Sequence, residues 1–520
     1  MRQAALVPTL VRMSTVPTPT ALTSSAPQST VPAPTGPASA VPTSAVPTPA
    51  VPTSAVPTST ALLTDHYELT MLQAALRSGM AGRRAVFEVF TRSLPAGRRF
   101  GVLAGTGRLL AAIEQFRFGP RETEHLRSTG VVDDRTVDWL AGYRFGGDIH
   151  GFAEGEPFLP GTPVLVVEGT FAECVLLETL VLSVLNHDSA VAAAGARMVA
   201  AAGDRPCLEM GGRRTHEQAA VAAARAAYIV GFAGTSNLEA ARGYGVPSAG
   251  TSAHAFTLVH DDETAAFAAQ VAALGAGTTL LVDTYDITTG IANAVAAAGT
   301  GLGAIRIDSG DLAAGARAAR AQLDALGAVT TRIVVTGDLD EHAIARLAAA
   351  PVDSYGVGTS LVTGSGAPTA GFVYKLVEAD GRPVAKTSIG KGTRGGRKEI
   401  VRRFGPDGSA VADVIIPGGE WPGAARARGA APAAPANAAD PADAADPAAR
   451  AAPADRPLLV PLMRAGAVVA ETLVGAAGVT RARDHHRAAL ASLPAAARDV
   501  RYGQPCLPVV VAGDGTRPVS

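Results

Sequence analysis

Ala304-Ile305-Arg306-Ile307-Asp308-Ser309-Gly310-Asp311-Leu312 reads as one complete architectural unit: a short, mostly apolar run, a polar turn holding a glycine, and the start of an alanine-rich stretch that continues to residue 326. Such a run suits a strand buried on both faces, and the helix after it carries the chain back to begin a parallel neighbour. The alternation recurs on both sides. Tyr228–Phe232, Thr279–Val282 and Arg332–Val335 are short apolar runs, and 217–227, 262–274 and 288–299 are helical stretches between them. From Cys207 to Val362 this predicts about seven βα units, close to the eight of a closed barrel. An open doubly wound sheet is the rival, but its Gly-x-Gly-x-x-Gly turn after the first strand is missing.

Outside that region the pattern changes. Thr64 or Asp65 can cap a helix running through Met71, Leu72 and Ala75, and Ala85–Phe90 alternates as a strand does. Residues 101–116 and 120–143 read as helices, then Gly151-Phe152, Pro163–Val167 and Phe171–Glu173 as short strands, and 178–202 as a long helix. Strands are expected again at Val373–Val377, Val384–Thr387 and Glu399–Phe404, order resumes at Leu458–Leu462, and 480–498 is expected to be a terminal helix. The predicted fold is α/β: an irregular TIM-like α/β barrel plus a smaller α+β domain built from N- and C-terminal segments. The expected divisions are a disordered leader at 1–61, an N-terminal α+β domain with its helical connection at 62–205 and the barrel at 206–372. A return to the α+β domain at 373–422, a disordered Ala/Pro-rich insertion at 423–456 and a C-terminal segment at 457–520 complete the chain. Proline repeated as Val-Pro-Thr blocks helix and sheet in the leader, which reads as a linker or an over-extended start of the reading frame. A transit peptide is the alternative, since Arg2 and Arg12 stand in an acid-free segment.

Composition narrows the function. Across 520 residues, 45 basic and 46 acidic side chains nearly cancel, which gives no electrostatic reason for a nucleic-acid or membrane partner. Small molecules and further copies of the chain are the expected partners. Apolar residues at 47% supply a sizeable core, and the length allows roughly two to four domains. The three cysteines, Cys174, Cys207 and Cys506, form no CxxC pair, which fits a reducing cytosol. The alanine-rich stretches are broken by Arg, Asp or Gly, so no bilayer-crossing segment is expected.

On a barrel, chemistry sits on the loops after the strands. Those loops carry Glu209–His216, Gly234–Asn237, Gly250–His254, Asp283–Asp286, Arg306–Asp311, Thr336–Asp338 and Gly356–Ser360. Each alone is ordinary turn chemistry, but together they gather polar and titratable groups on one rim. Glycine and threonine turns offer N–H and hydroxyl groups to phosphates, Arg213 and Arg214 can clamp anionic oxygens, and Asp308 with Asp311 can hold Mg²⁺ against a diphosphate. His254, after the small residues Gly250 to Ala253, can take a phosphoryl group or move a proton, with Asp283 as acceptor of its ring hydrogen. A buried or capping histidine, and helix capping by Asp283 and Asp286, are the plainer alternatives. The substrate expected is a phosphorylated, metal-bound sugar or nucleotide.

Together, Leu62–Tyr67, Glu209–Arg214, Gly234–Asn237, Gly250–Phe256, Asp283–Asp286, Arg306–Asp311 and Gly356–Ser360 closely resemble nicotinate phosphoribosyltransferases of the type II phosphoribosyltransferase fold. The resemblance runs from Leu62 to about Phe404 and resumes from Leu458. It implies an ATP-dependent ligase of NAD salvage. Nicotinate and 5-phosphoribosyl 1-diphosphate would give nicotinate mononucleotide and diphosphate, with ATP hydrolysed through a phosphohistidine at His254 and with Mg²⁺. It further implies a cytoplasmic homodimer with shared active sites. Tyr67 would stack on the pyridine ring from the second subunit, and Thr251, Arg306 and Ser236 would contact nicotinate. Arg213, Asp308, Gly337, Gly358 and Thr359 would bind the sugar diphosphate. Nicotinamide and quinolinate phosphoribosyltransferases of the same fold, and an inactive scaffold relative, are the rival readings. Relatives that use the amide tend to carry an aspartate where Ser236 stands.

Overall fold

The computed structural model describes residues 59–388, 392–418 and 455–513. The leader expected at 1–61 and the insertion expected at 423–456 fall outside them, apart from their last few positions. Among the described residues, six parallel strands form one sheet in the order Gly234–Thr235, Cys207–Glu209, Ser354–Val357, Arg332–Val335, Ala304–Ile307, Thr279–Leu281. Every pairing in it is parallel, so all six C-terminal ends lie on one edge. The side chains of Leu280, Leu281, Ile305, Ile307, Ile333, Val335, Tyr355 and Val357 are all 0% exposed, as a sheet covered on both faces requires. Each such residue contributes roughly 1.5–3 kcal/mol by leaving water. The curled sheet is a barrel left open. Among the described residues Thr279–Leu281 pairs only with Ala304–Ile307, and the far side ends in a single bridge between Thr235 and Ser248.

A second, antiparallel layer is a seven-stranded sheet in the order Arg382–Pro383, Phe372–Ala379, Arg84–Thr91, Leu165–Thr170, Asp148–Gly151, Val460–Arg464, Ala467–Val468. Its strands come from both ends of the chain. A four-stranded sheet of Arg456–Pro457, Lys398–Phe404, Ala410–Pro417 and Val509–Val511 stands beside it. The helix Glu178–Ala202 packs against the helices Glu217–Ile229 and Glu341–Arg346 and also reaches Phe372–Ala379, linking the two layers. With the preceding turn it makes Phe171–Ala202 long and apolar enough to cross a bilayer by length and composition, contrary to the expectation of no such segment. Its most apolar window is 67% buried inside the protein, and Asp188 and Arg197 on it are paired with Arg108 and Glu341, which marks a core helix.

Several local expectations are corrected. Tyr228–Phe232 is the end of the helix Glu217–Ile229 and the turn after it, and the strand comes later, at Gly234–Thr235. A short buried apolar run has no period that separates helix from strand. Phe171–Glu173 opens a helix because Thr170 and Glu173 form a reciprocal capping box. In 101–116 a two-residue strand, Gly101–Val102, precedes a helix confined to Thr106–Glu114, and 120–143 holds two helices, Pro120–Thr129 and Asp134–Ala141. Asp133 caps the second of these through the Thr136 N–H. Val384–Thr387 carries no strand beyond the short pair at Arg382–Pro383, and the terminal helix is Gly475–Ala491, earlier than 480–498.

Candidate active site

At the C-terminal edge of the parallel sheet, one cluster gathers residues from four loops. Arg306 leaves its strand with its side chain only 13% exposed. Its Nη1 donates to Thr251 Oγ1 at 3.1 Å and to the Ser252 carbonyl at 3.2 Å, while Nε donates to Thr336 Oγ1 at 3.1 Å. Thr336 in turn donates to Asp308 Oδ1, and Asp308 stands 3.9 Å from Arg306 Nη2. A cation on a buried strand is costly unless its donors are used. Here the rim itself uses them and aims the fork towards the 251–252 turn.

The Asp283 carboxylate closes the other side and is 1% exposed. Oδ2 accepts from the Asp308 N–H and from Ser309 Oγ, both at 2.8 Å. Among the described residues Oδ1 is buried without a hydrogen-bond partner, and it lies 3.9 Å from His254 Nε2. The expected His254–Asp283 hydrogen bond is therefore not formed. Asp283 is committed to the 308–309 turn, and the ring is held instead through Nδ1, 3.1 Å from Thr284 Oγ1. His254 opens the short helix His254–Leu258 and is 40% exposed at its side chain, between the unused carboxylate oxygen and open solvent.

Gly337 sits at φ 126°, a backbone that favours glycine, and a Cβ there would stand 3.2 Å from the Asp308 carbonyl. Gly211 has no room for a side chain between Val362 and the Gly358 carbonyl. This packs the loop bearing Arg213 against Gly358 and Val362. Ser236 is exposed and its N–H donates to the Glu209 carbonyl at 2.8 Å. Thr359 begins the four-residue helix Thr359–Val362.

The cluster thus contains Thr251, His254, Asp283, Arg306, Asp308 and Gly337, with Ser236, Gly358 and the Arg213 loop joined around Glu209. Among the described residues no hydrogen bond or ion pair ties Arg213 to the cluster. Tyr67 lies elsewhere, on the N-terminal helix His66–Ser78, 42% exposed. Partial burial, the charges of Glu178 and Glu68 and a hydrogen bond to Glu178 raise its phenol well above the usual range. Asp311 Oδ1 accepts from the Ala313 and Ala314 N–H groups and caps the helix Leu312–Ala325. Asp286 caps Ile287–Ala298 in the same way. His216 accepts from the Gln218 N–H at 3.3 Å, and His187 is 3.0 Å from Asp188 in the core helix. Thr284, Thr336 and Glu209 had no role assigned from the sequence. The signal for Thr284 was its place directly after Asp283 on the loop facing His254.

Known proteins are similar to this chain in sequence and in fold. The sequence model described as nicotinate phosphoribosyltransferase (NAPRTase) N-terminal domain matches residues 62–186, and that of the nicotinate phosphoribosyltransferase (NAPRTase) family matches 206–402. A nicotinate phosphoribosyltransferase of Mycobacterium tuberculosis is 57% identical over 455 residues, covering 86% of this chain and 94% of that one. One from Bacillus subtilis is 37% identical over 357 residues, covering 66% and 73%. The crystal structure of human nicotinic acid phosphoribosyltransferase superposes with a TM-score of 0.69 at 27% identity, over 87% of this chain and 98% of that one. Domain matches across both layers, a close relative over most of its length and a common fold agree: the chain belongs to the nicotinate phosphoribosyltransferase family.

Proposed function

We propose that the rim forms nicotinate mononucleotide and diphosphate from nicotinate and 5-phosphoribosyl 1-diphosphate, and that ATP drives the reaction through a phosphohistidine at His254. The observation that carries this reading is the pair of contacts around one loop. Thr251 and Ser252 are bound by the Arg306 guanidinium, and three residues on from Thr251 the His254 ring meets Thr284 on one nitrogen and faces a buried, unused carboxylate oxygen on the other. A cation beside the loop suits a ring carboxylate, and an imidazole fixed at one nitrogen can present the other to a phosphoryl group. When Nε2 carries the phosphoryl group, the remaining ring N–H is on Nδ1, where Thr284 Oγ1 is its acceptor.

Arg213, Gly337, Gly358 and Thr359 would hold the phosphates of the sugar, Ser236 would stand beside the base without repelling its carboxylate, and Tyr67 would reach the ring from a second subunit of a homodimer. The 62–205, 206–372, 373–422 and 457–520 segments would serve as the working divisions of the chain. Among the described residues no group of three or more His, Cys, Asp or Glu is placed to hold a metal. Asp308 has one oxygen bonded to Thr336 and Asp311 has one on its helix cap, so the pair fits a Mg²⁺ ion that arrives with the diphosphate and is completed by phosphate oxygens. Three free thiols support a cytosolic setting.

Turnover of nicotinate and of nicotinamide, each with and without ATP, tests the reading. Nicotinate is expected to be used at least about tenfold better, roughly 1.4 kcal/mol of differential transition-state binding, with nucleotide yield rising when ATP is present. Equal use of both bases, or no effect of ATP, would overturn it.

A further inference from the structure

Glu209 ends the strand Cys207–Glu209 and is 0% exposed. Among the described residues no cation pairs with it, and burial pushes its carboxyl above the usual range. A buried carboxyl without a counter-charge costs stability that a leucine at the same strand position would not. Its hydrogen bonds run to two different loops. Oε1 accepts from the Gly211 N–H and Oε2 from the Thr235 hydroxyl. The Thr235 hydroxyl also accepts from the Asn237 N–H at 2.9 Å, and the Glu209 carbonyl accepts from the Ser236 N–H at 2.8 Å. One residue further on, the Met210 N–H donates to the Val357 carbonyl at 2.8 Å, just before Gly358. A single side chain therefore ties the loop that presents Arg213 to the turn that presents Ser236, against the 358–359 turn.

We propose that Glu209 is a positioning residue, which touches no substrate but holds the Arg213 loop and the Ser236 turn in one register through Gly211 and Thr235. This rests on the reading of that rim as the binding site for nicotinate and 5-phosphoribosyl 1-diphosphate. Freed from the carboxyl, the 210–214 loop loses its fixed approach to the phosphates, and the 235–237 turn shifts independently of it. The effect falls on binding, because His254, Asp283 and Arg306 are held by a separate set of bonds.

The test uses the full chain as wild type, Glu209→Ala, Glu209→Gln and Thr235→Val, with steady-state kinetics at saturating ATP and a thermal midpoint for each. Glu209→Ala is expected to raise KM for 5-phosphoribosyl 1-diphosphate about tenfold while kcat stays within about threefold, because binding geometry is lost and the chemistry is not. Thr235→Val is expected to raise KM for nicotinate by roughly threefold or more. In Glu209→Gln the amide oxygen can accept from Gly211 and the NH₂ can donate to Thr235, so its KM values are expected within about threefold of wild type. A folded Glu209→Ala with unchanged KM values, a loss of kcat alone, or Glu209→Gln as impaired as Glu209→Ala would each overturn the proposal. If Glu209→Ala does not fold, unchanged KM values in Thr235→Val overturn it. If wild type shows no ATP-dependent turnover of nicotinate, the reading of the rim fails separately. Calorimetric Kd values for 5-phosphoribosyl 1-diphosphate then decide the role of Glu209 by the same tenfold criterion.

Discussion

His254→Ala is expected to abolish transfer of labelled phosphate from γ-labelled ATP to the protein and to uncouple ATP hydrolysis from nucleotide formation. His216→Ala and His187→Ala should still label, since one ring caps a helix and the other bonds Asp188 within the core. Labelling retained in His254→Ala, or lost only in His216→Ala, would move the mechanism to the Arg213 loop. Thr284 supplies the ring's only hydrogen bond, at 3.1 Å, among the described residues. Thr284→Val is therefore expected to slow labelling about tenfold while Thr284→Ser restores it, measured as the initial rate of label incorporation. At this scale the residue types were legible in the sequence but their pairings were not. Asp283 could be picked as an acceptor near His254. That its Oδ2 is used by the 308–309 turn depends on the spacing of two neighbouring strands, which no local pattern records. Glu209 was hidden for the opposite reason: an acidic residue at a strand end reads as ordinary turn polarity until its complete burial is seen.

Among the elements, the strands Thr279–Leu281, Ala304–Ile307 and Arg332–Val335 could be read from sequence, because strands covered on both faces are short apolar runs bounded by turns. Ala410–Pro417 was missed. It places Asp413 inward against Arg402, a charge where strand patterning expects an apolar side chain. Arg402 is fully buried, with Nε and Nη2 on the Asp413 carboxylate at 2.8 and 3.0 Å and Nη1 on Glu156 at 2.6 Å. Removing the cation strands the Asp413 carboxylate in the core, while Glu156 keeps Arg456 and His485. Arg402→Met is thus expected to cost about 3–5 kcal/mol, read as a fall in denaturant midpoint, and the double variant Arg402→Met, Asp413→Leu to cost less than the single one. Additive losses would show that the pair does not act as a unit.

For the molecule as a whole, acid should act through the C-terminal helix. His486 on that helix is 3% exposed, hydrogen-bonded at Nδ1 to the Gly155 carbonyl at 2.8 Å, and burial with the neighbouring His485 lowers its pKa to about 4. The unfolded chain takes up that proton near the ordinary imidazole value of 6.5, so between these values it binds more protons than the folded one, and stability falls as pH drops from 6.5 to 4. A thermal midpoint that declines across this range in wild type and is flatter in His486→Gln checks the assignment. An identical slope in both would refute it. The layered plan was legible from the alternation of runs and helices, whereas the open edge of the sheet was not, because closure is set by strand stagger and tilt rather than by any one segment.

That open edge has a kinetic consequence. The segment from Ser248 to Leu258 crosses it, bridged to Thr235 at one end and touching Arg306 and Thr284 through side chains at the other. Among the described residues the amides of Gly250, Thr251, Ser252 and Ala253 donate no backbone hydrogen bond, whereas Val335 and Ile307 are locked in a parallel ladder. The stretch bearing His254 can then rise and settle without opening the sheet, and its amides should exchange with deuterium orders of magnitude faster than those of Ala304–Ile307. Bound ligand would be felt first as slower exchange at this seam, while the strands beneath it keep their rate.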